Sequence, residues 1–153
     1  MAYYLDTSAL VKRYAQETGT SWVINLTDPA AGHDIYIVRI AGPELIAALF
    51  RKVRTREISQ VDAGRAAANF KIDFRAQYQI TEVTTSLANR AMELAEKHGL
   101  RGYDAVHLAA AVELHTVRER MKLFPLVFIS ADNDLNMAAH AEELVTDDPN
   151  TYS

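Results

Sequence analysis

Four carboxylates stand at points in this 153-residue chain where residue type and spacing suggest chemistry. Asp6 ends the short apolar run Tyr3-Tyr4-Leu5. Glu44 comes soon after the run Ile35 to Ile40, Asp104 opens a long alanine-rich segment, and Asp132 follows Leu126 to Ile129 and the pair Ser130-Ala131. Carboxylates gathered in one pocket repel one another and take up protons unless a cation joins them. With oxygen the only ligand type, that cation is a hard divalent ion, Mg²⁺ or Mn²⁺, rather than zinc. Such an ion ionises a water, orients it in line with a phosphodiester and stabilises the developing charge, so the chemistry suggested is phosphodiester hydrolysis. Asp134 is a fifth carboxylate nearby and a candidate for holding a second ion.

Whether the acids meet depends on the elements that carry them. Tyr3 to Leu5 reads as a short buried strand, and Ala9, Leu10, Val11 and Tyr14 continue at helical spacing, with Ser8 the expected N-cap. Trp22, Val23 and Leu26 suggest a second short helix after Gly19. Ile35 to Ile40 is a nearly continuous β-branched run, as expected of a strand covered on both faces. Gly42-Pro43 then opens a helix with Pro43 expected at its first position and Leu45, Ile46, Leu49, Phe50 and Val53 as its apolar stripe. Ser59 caps a helix over Gln60 to Ala76. A third strand is expected at Ile80 to Val83, then a helix capped by Thr85 or Ser86 and ended by Gly99. A strong helix former runs from Tyr103 to about Met121. Leu126 to Ile129 is the fourth strand, followed by a helix around Leu135 to Ala141, with a fifth strand at Leu144-Val145.

Strands alternating with helices imply right-handed crossovers and an α/β fold: a central parallel sheet of about four to five strands flanked by helices. Asp6, Glu44 and Asp132 each follow a strand and so lie at the carboxyl edge of the sheet, where ligands bind in such folds. The helix opened by Asp104 feeds the fourth strand, so it must begin at that same edge.

The composition, 49% hydrophobic and 24% charged, suits one domain over residues 1–153. Without cysteine the chain has no disulfide, thiolate metal site or cysteine nucleophile. No apolar run approaches the ~18 residues of a membrane span, and no basic region with an apolar signal segment opens the chain, so a cytoplasmic protein without a membrane partner is expected. The net charge of −4 argues against a general nucleic-acid coat. A local basic patch beside a cation-filled acidic pocket escapes that objection.

The segments Leu5 to Lys12 (LDTSALVK), Pro43 to Leu49 (PELIAAL), Gly99 to Ala111 (GLRGYDAVHLAAA) and Ser130 to Ala139 (SADNDLNMAA) resemble, in order, the successive motifs of PIN-domain ribonucleases, especially the VapC toxins of type II toxin-antitoxin systems. The resemblance spans nearly the whole chain; the first and third motifs are the specific ones. It implies a single PIN-like domain and an Mg²⁺-dependent endoribonuclease, with Mn²⁺ a substitute. The acidic site residues it implies are Asp6, Glu44, Asp104 and Asp132, with Ser8 and Ser130 as hydroxyl neighbours. It further implies a homodimer and a cognate VapB antitoxin that silences cleavage of RNA. Apolar residues between Ile58 and Phe74, more than one covered face requires, also suit a dimer.

Blander roles exist for each residue. Asp104 and Glu44 suit the first turn of a helix, where a carboxylate gains ~0.3 to 1 kcal/mol from the dipole, and Asp132 suits an N-cap. Asp6 resists such an account as long as Ser8 does the capping. His107, one turn after Asp104, is a candidate general base but is better read as a packed residue or a hydrogen-bond partner of the site. Arg51, Lys52, Arg54 and Arg56 form either a solvated helix end or a grip on RNA phosphates. A Ser-His-Asp hydrolase lacks its G-x-S-x-G elbow, and the paired acids of a phosphoacceptor protein are absent. The remaining rival is a module that keeps the fold and grips RNA or a partner without cutting.

Overall fold

A computed structural model describes residues 1–153. Five strands, β1 (Ala2–Leu5), β2 (Asp34–Val38), β3 (Gln79–Thr81), β4 (Leu126–Ile129) and β5 (Val145–Asp147), form one sheet in the order β3-β2-β1-β4-β5. Every neighbouring pair is parallel. Seven α-helices cover it: α1 (Thr7–Leu10), α2 (Thr20–Thr27), α3 (Ala41–Arg54), α4 (Gln60–Ala76), α5 (Thr85–His98), α6 (Gly102–Arg120) and α7 (Asn133–Ala141). None is long and apolar enough to cross a membrane.

Successive strand residues point to opposite faces, so each strand supplies two cores. Tyr4, Leu126 and Phe128 pack with Leu87, Leu94, Leu108 and Leu135 from α5, α6 and α7. Leu5, Ile35, Ile37 and Ile129 pack on the other face with Leu10, Leu45, Leu49 and Phe70. The central strand β1 pairs Tyr4 with both Tyr36 and Phe128, and Leu5 with Ile129. The α/β parallel sheet is thus as expected, with five strands.

Several local expectations need correction. Asp6, not Ser8, caps α1, because the Leu10 amide already donates to the Asp6 carbonyl and the helix begins two residues earlier. The second strand stops at Val38 rather than Ile40: Ile40 adopts helical geometry, the Gly42 amide turns back onto the Arg39 carbonyl, and α3 starts at Ala41. Pro43 therefore takes the third helical position, which costs no hydrogen bond because first-turn amides have no intrahelical acceptor. Thr84, rather than Thr85 or Ser86, caps α5 through the Leu87 amide. The third strand is Gln79–Thr81 instead of Ile80 to Val83, and the fifth runs from Val145 to Asp147. The Ser59 cap on α4 is present as expected.

Residues beyond β5 fasten this frame near its carboxyl edge. Pro149–Thr151 forms a single turn against Gly19, and the Tyr152 ring stacks on Trp22 with centroids 4.4 Å apart and planes 6° from parallel. Tyr152 donates to Asp147 at 2.8 Å, and the Asn150 amide donates to the Ala131 carbonyl at 3.3 Å. The strap thus ties α2 to the loop between β4 and α7. Gly19 is required beneath it: its φ is 84°, and a Cβ would lie 2.1 Å from the Pro149 carbonyl oxygen. Gly19→Ala is expected to cost about 2 kcal/mol, the scale of forcing a side chain into left-handed geometry, with a lower urea midpoint. A midpoint equal to wild type would mean the strap does not bear on Gly19.

Candidate active site

Asp6, Glu44, Asp104 and Asp132 all line one cavity of about 640 Å³ at the carboxyl edge of the sheet. Each reaches it from a different element. Asp6 follows β1 and caps α1, Glu44 stands in the first turn of α3 after β2, Asp104 in the first turn of α6, and Asp132 caps α7 after β4. Thr7, Ser8, Arg51, Arg101, Tyr103 and His107 share the wall.

Asp6 is the innermost acid, only 3% exposed. Its Oδ1 accepts from the Ala9 amide at 3.0 Å and from Ser8 Oγ at 2.7 Å; its Oδ2 accepts from Ser130 Oγ at 2.8 Å. Both hydroxyls are themselves anchored, Ser8 by the Ala131 amide and Ser130 by the Asp132 amide. Burial pushes the Asp6 carboxyl above its ordinary value, opposed by His107, Ser8, the Ala9 amide and Ser130. The hydroxyl neighbours therefore sit directly on the acid.

Glu44 is held from behind by a buried chain. Tyr4, fully buried, lies 2.9 Å from His107 Nδ1, and His107 Nε2 lies 2.7 Å from Glu44 Oε1. Burial first, then the charges of Asp6 and Glu44, raise the Tyr4 pKa well above its usual value, so the phenol stays protonated. A carboxylate can only accept, so Nε2 donates to Glu44. Thr7 Oγ1 adds a second donor to the same oxygen at 3.0 Å. His107 is 1% exposed and hydrogen-bonds Glu44.

Asp104 and Asp132 face a different partner. Arg101 Nε lies 3.3 Å from Asp104 Oδ2, and its Nη2 lies 3.8 Å from Asp132 Oδ2. Asp132 also accepts from the Leu135 amide at 3.1 Å, so the capping role and the cavity position coexist. Asp134 is exposed and lies outside the cavity wall. Of the basic run only Arg51 lines the cavity; Lys52 turns to Glu17 and Glu57, while Arg54 and Arg56 face solvent.

Thr7, Tyr4, Arg51's lone participation and Arg101 were not separable from sequence. Arg101 alone carried a local signal, a cation three residues before Asp104, where the chain enters the helix.

The donor set is oxygen throughout and suits a hard divalent cation in type. No three acidic or histidine side chains are drawn together tightly enough to form a finished cation cage. The partners explain this: Glu44 leans toward His107, while Asp104 and Asp132 share Arg101. What the cavity offers is an anionic floor with a buried carboxylate, two guanidiniums on its wall, and the 64% exposed ring of Tyr103 at its edge.

The PIN domain family model matches residues 3–141. Ribonuclease VapC45 of Mycobacterium tuberculosis (strain CDC 1551 / Oshkosh) is 38% identical over 110 residues, which cover 71% of this chain and 74% of the relative. Among solved structures, PAE2754 from Pyrobaculum aerophilum aligns with a TM-score of 0.62 at 20% identity, over 99% of this chain and 91% of the other. VapBC2 from Rickettsia felis, bound to a DNA fragment from their promoter, aligns at 0.60 and 15% identity over 97% and 98%. At those identities the two structures speak for the fold, while the matched family model and the mycobacterial relative place the sequence. This chain belongs to the PIN-domain family, and within it to the VapC-like proteins.

Proposed function

We propose that this chain is a divalent-metal-dependent endoribonuclease of the VapC type, a single domain that hydrolyses RNA phosphodiester bonds. The observation that carries the reading is the arrival of four carboxylates from four separate elements at one cavity, with Asp6 buried at its floor. Asp6, Glu44, Asp104 and Asp132 are the residues that would hold the ion, Mg²⁺ or its substitute Mn²⁺. When bound, such an ion ionises a water and offsets the charge that develops on the phosphate.

The protein's own residues prepare that site. Ser8, Ser130 and the Ala9 amide fix the Asp6 carboxylate in one orientation. Tyr4 and His107 fix Glu44, so that it need not be ordered when substrate arrives. Arg51 and Arg101 supply the positive charge that a phosphodiester backbone needs beside an acidic floor, and Tyr103 presents a ring on which an unpaired base can stack.

The family resemblance and the VapC-like relatives support a cognate VapB-like antitoxin and a homodimer in the cytoplasm. Val61 and Ile72 on α4, 64% and 59% exposed, offer apolar surface for a second copy. Sedimentation at micromolar concentration is expected to give twice the chain mass alone, and a heavier species without cleavage once the antitoxin is added. A monomer, or a complex that cuts at full rate, would count against these partners.

Asp104→Asn is expected to abolish cleavage of total RNA in Mg²⁺ while leaving the far-UV circular dichroism unchanged, because the amide keeps the shape and loses the anion. Undiminished cleavage would sink the site.

Asp6 offers a test that needs no substrate. Its folded pKa is raised, so between the unfolded value of about 4 and the raised one the native state binds more protons than the unfolded state, and stability falls as pH rises. Above that window the ionised carboxyl destabilises the cation-free protein. Asp6→Asn should therefore melt higher than wild type at pH 7 in chelator, an advantage that vanishes below about pH 4. Mn²⁺ at about 100 times its Kd should stabilise wild type by ~2.7 kcal/mol, and the variant should lose most of that gain. A variant that melts lower in chelator and responds equally to Mn²⁺ would remove Asp6 from the ligand set.

A further inference from the structure

Arg101 is placed unlike a structural arginine. Its side chain is 84% exposed, yet it is turned over the cavity mouth, where one guanidinium reaches both Asp104 on α6 and Asp132 at the cap of α7. It occupies the N-cap of α6 and makes no side-chain capping bond there. The two acids it bridges come from separate elements, and both belong to the set that would hold a divalent ion. At 3.3 and 3.8 Å the two ion pairs are looser than the hydrogen bonds on Asp6 and Glu44, and exposed pairs of this kind are individually weak.

Arg101 contacts Oδ2 of both acids, and Asp132 Oδ1 is already taken by the Leu135 amide, so a divalent cation that binds those Oδ2 atoms competes with the guanidinium for them. Four carboxylates against two guanidiniums also leave the cation-free cavity negative, which repels a polyanion. Resting on the ribonuclease reading above, we infer that Arg101 is a swinging arm of the site. It holds Asp104 and Asp132 in the cation-free protein, releases them when a divalent ion enters, and then takes a phosphate of the RNA backbone. Its fork of N–H donors suits either partner, carboxylate or phosphate, so the exchange changes its partner without leaving a donor unpaired. Cation entry thereby raises affinity for RNA by two routes: it neutralises the floor and frees an arginine at the rim.

The test uses the whole chain in four forms: wild type, Arg101→Gln, Arg101→Lys, and Arg120→Gln, which removes the same charge from the far end of α6. Mn²⁺ affinity is read by paramagnetic resonance of the free ion with no RNA present. Cleavage of a fluorescent single-stranded RNA of mixed sequence is read across a salt series. Arg101→Gln is expected to bind Mn²⁺ about threefold more tightly, the scale of removing an exposed ion pair, while its KM rises more than its kcat falls. The slope of log kcat/KM against log salt should become shallower by about 0.7, since one RNA phosphate is no longer neutralised by the protein. Arg101→Lys should recover much of the slope, and Arg120→Gln should match wild type in both assays. A purely structural arginine would weaken cation binding and cleavage together, and that result would overturn the arm. So would an Arg101→Gln protein whose Mn²⁺ affinity or salt slope is unchanged, while wild type binds Mn²⁺ and cuts. Wild type that neither binds Mn²⁺ nor cuts would instead bring down the ribonuclease reading, and the arm with it.

Discussion

A carboxylate taken out of water at the end of the central strand is the constraint to which the rest of this structure answers. Asp6 has no cation in salt-bridge contact, and its partners are two hydroxyls and one amide. Left without them, a buried charged group loses more than the roughly 1 to 3 kcal/mol of an unmade neutral hydrogen bond. The sheet order supplies them. Because β4 lies beside β1 with Leu5 opposite Ile129, the next residues in register are Asp6 and Ser130, and the hydroxyl lands on Oδ2. An edge position for β1 would leave one side of Asp6 to solvent. The tight turn into α1 supplies Ser8 and the Ala9 amide from the other side.

The acids on the cavity wall are held in two contrasting ways. Glu44 is fixed by side chains rooted in the core: Tyr4 from β1 and His107 from α6, both out of solvent. Asp104 and Asp132 share a long, exposed arginine. One wall of the cavity is therefore set when the protein folds, and the other can be rearranged without disturbing the core. That division suits a site that must be rigid where it orients a reacting group and adjustable where charged species enter and leave.

Much of this was legible in the residues. Apolar runs marked the strands, and their alternation with helices forced the right-handed crossovers that bring Asp6, Glu44, Asp104 and Asp132 to one edge. Choices among neighbours were less legible. Asp6 and Ser8 are both good cap residues, and only the point at which the strand gives way to the helix decides between them. Thr84, Thr85 and Ser86 present three adjacent hydroxyls with nothing local to rank them. Arg39 and Ile40 continue a strand-like pattern into what is already the turn toward α3, because Thr81 on the neighbouring strand accepts the Arg39 amide and the pairing ends there. The Tyr4 to His107 hydrogen bond joins residues 103 apart, a separation at which no periodicity speaks.

The same long separations bear on the order in which the pocket can be assembled. The serine that seats Asp6 follows it 124 positions later, and the histidine behind Glu44 lies 63 positions beyond it. Loops of that length close late, since their entropy is lost before any interaction repays it. A nascent or truncated chain that stops short of Leu126 leaves its central strand without one neighbour and its innermost carboxylate without the Ser130 hydroxyl. Chain order alone thus leaves the acidic pocket incomplete in any fragment that stops before Ser130.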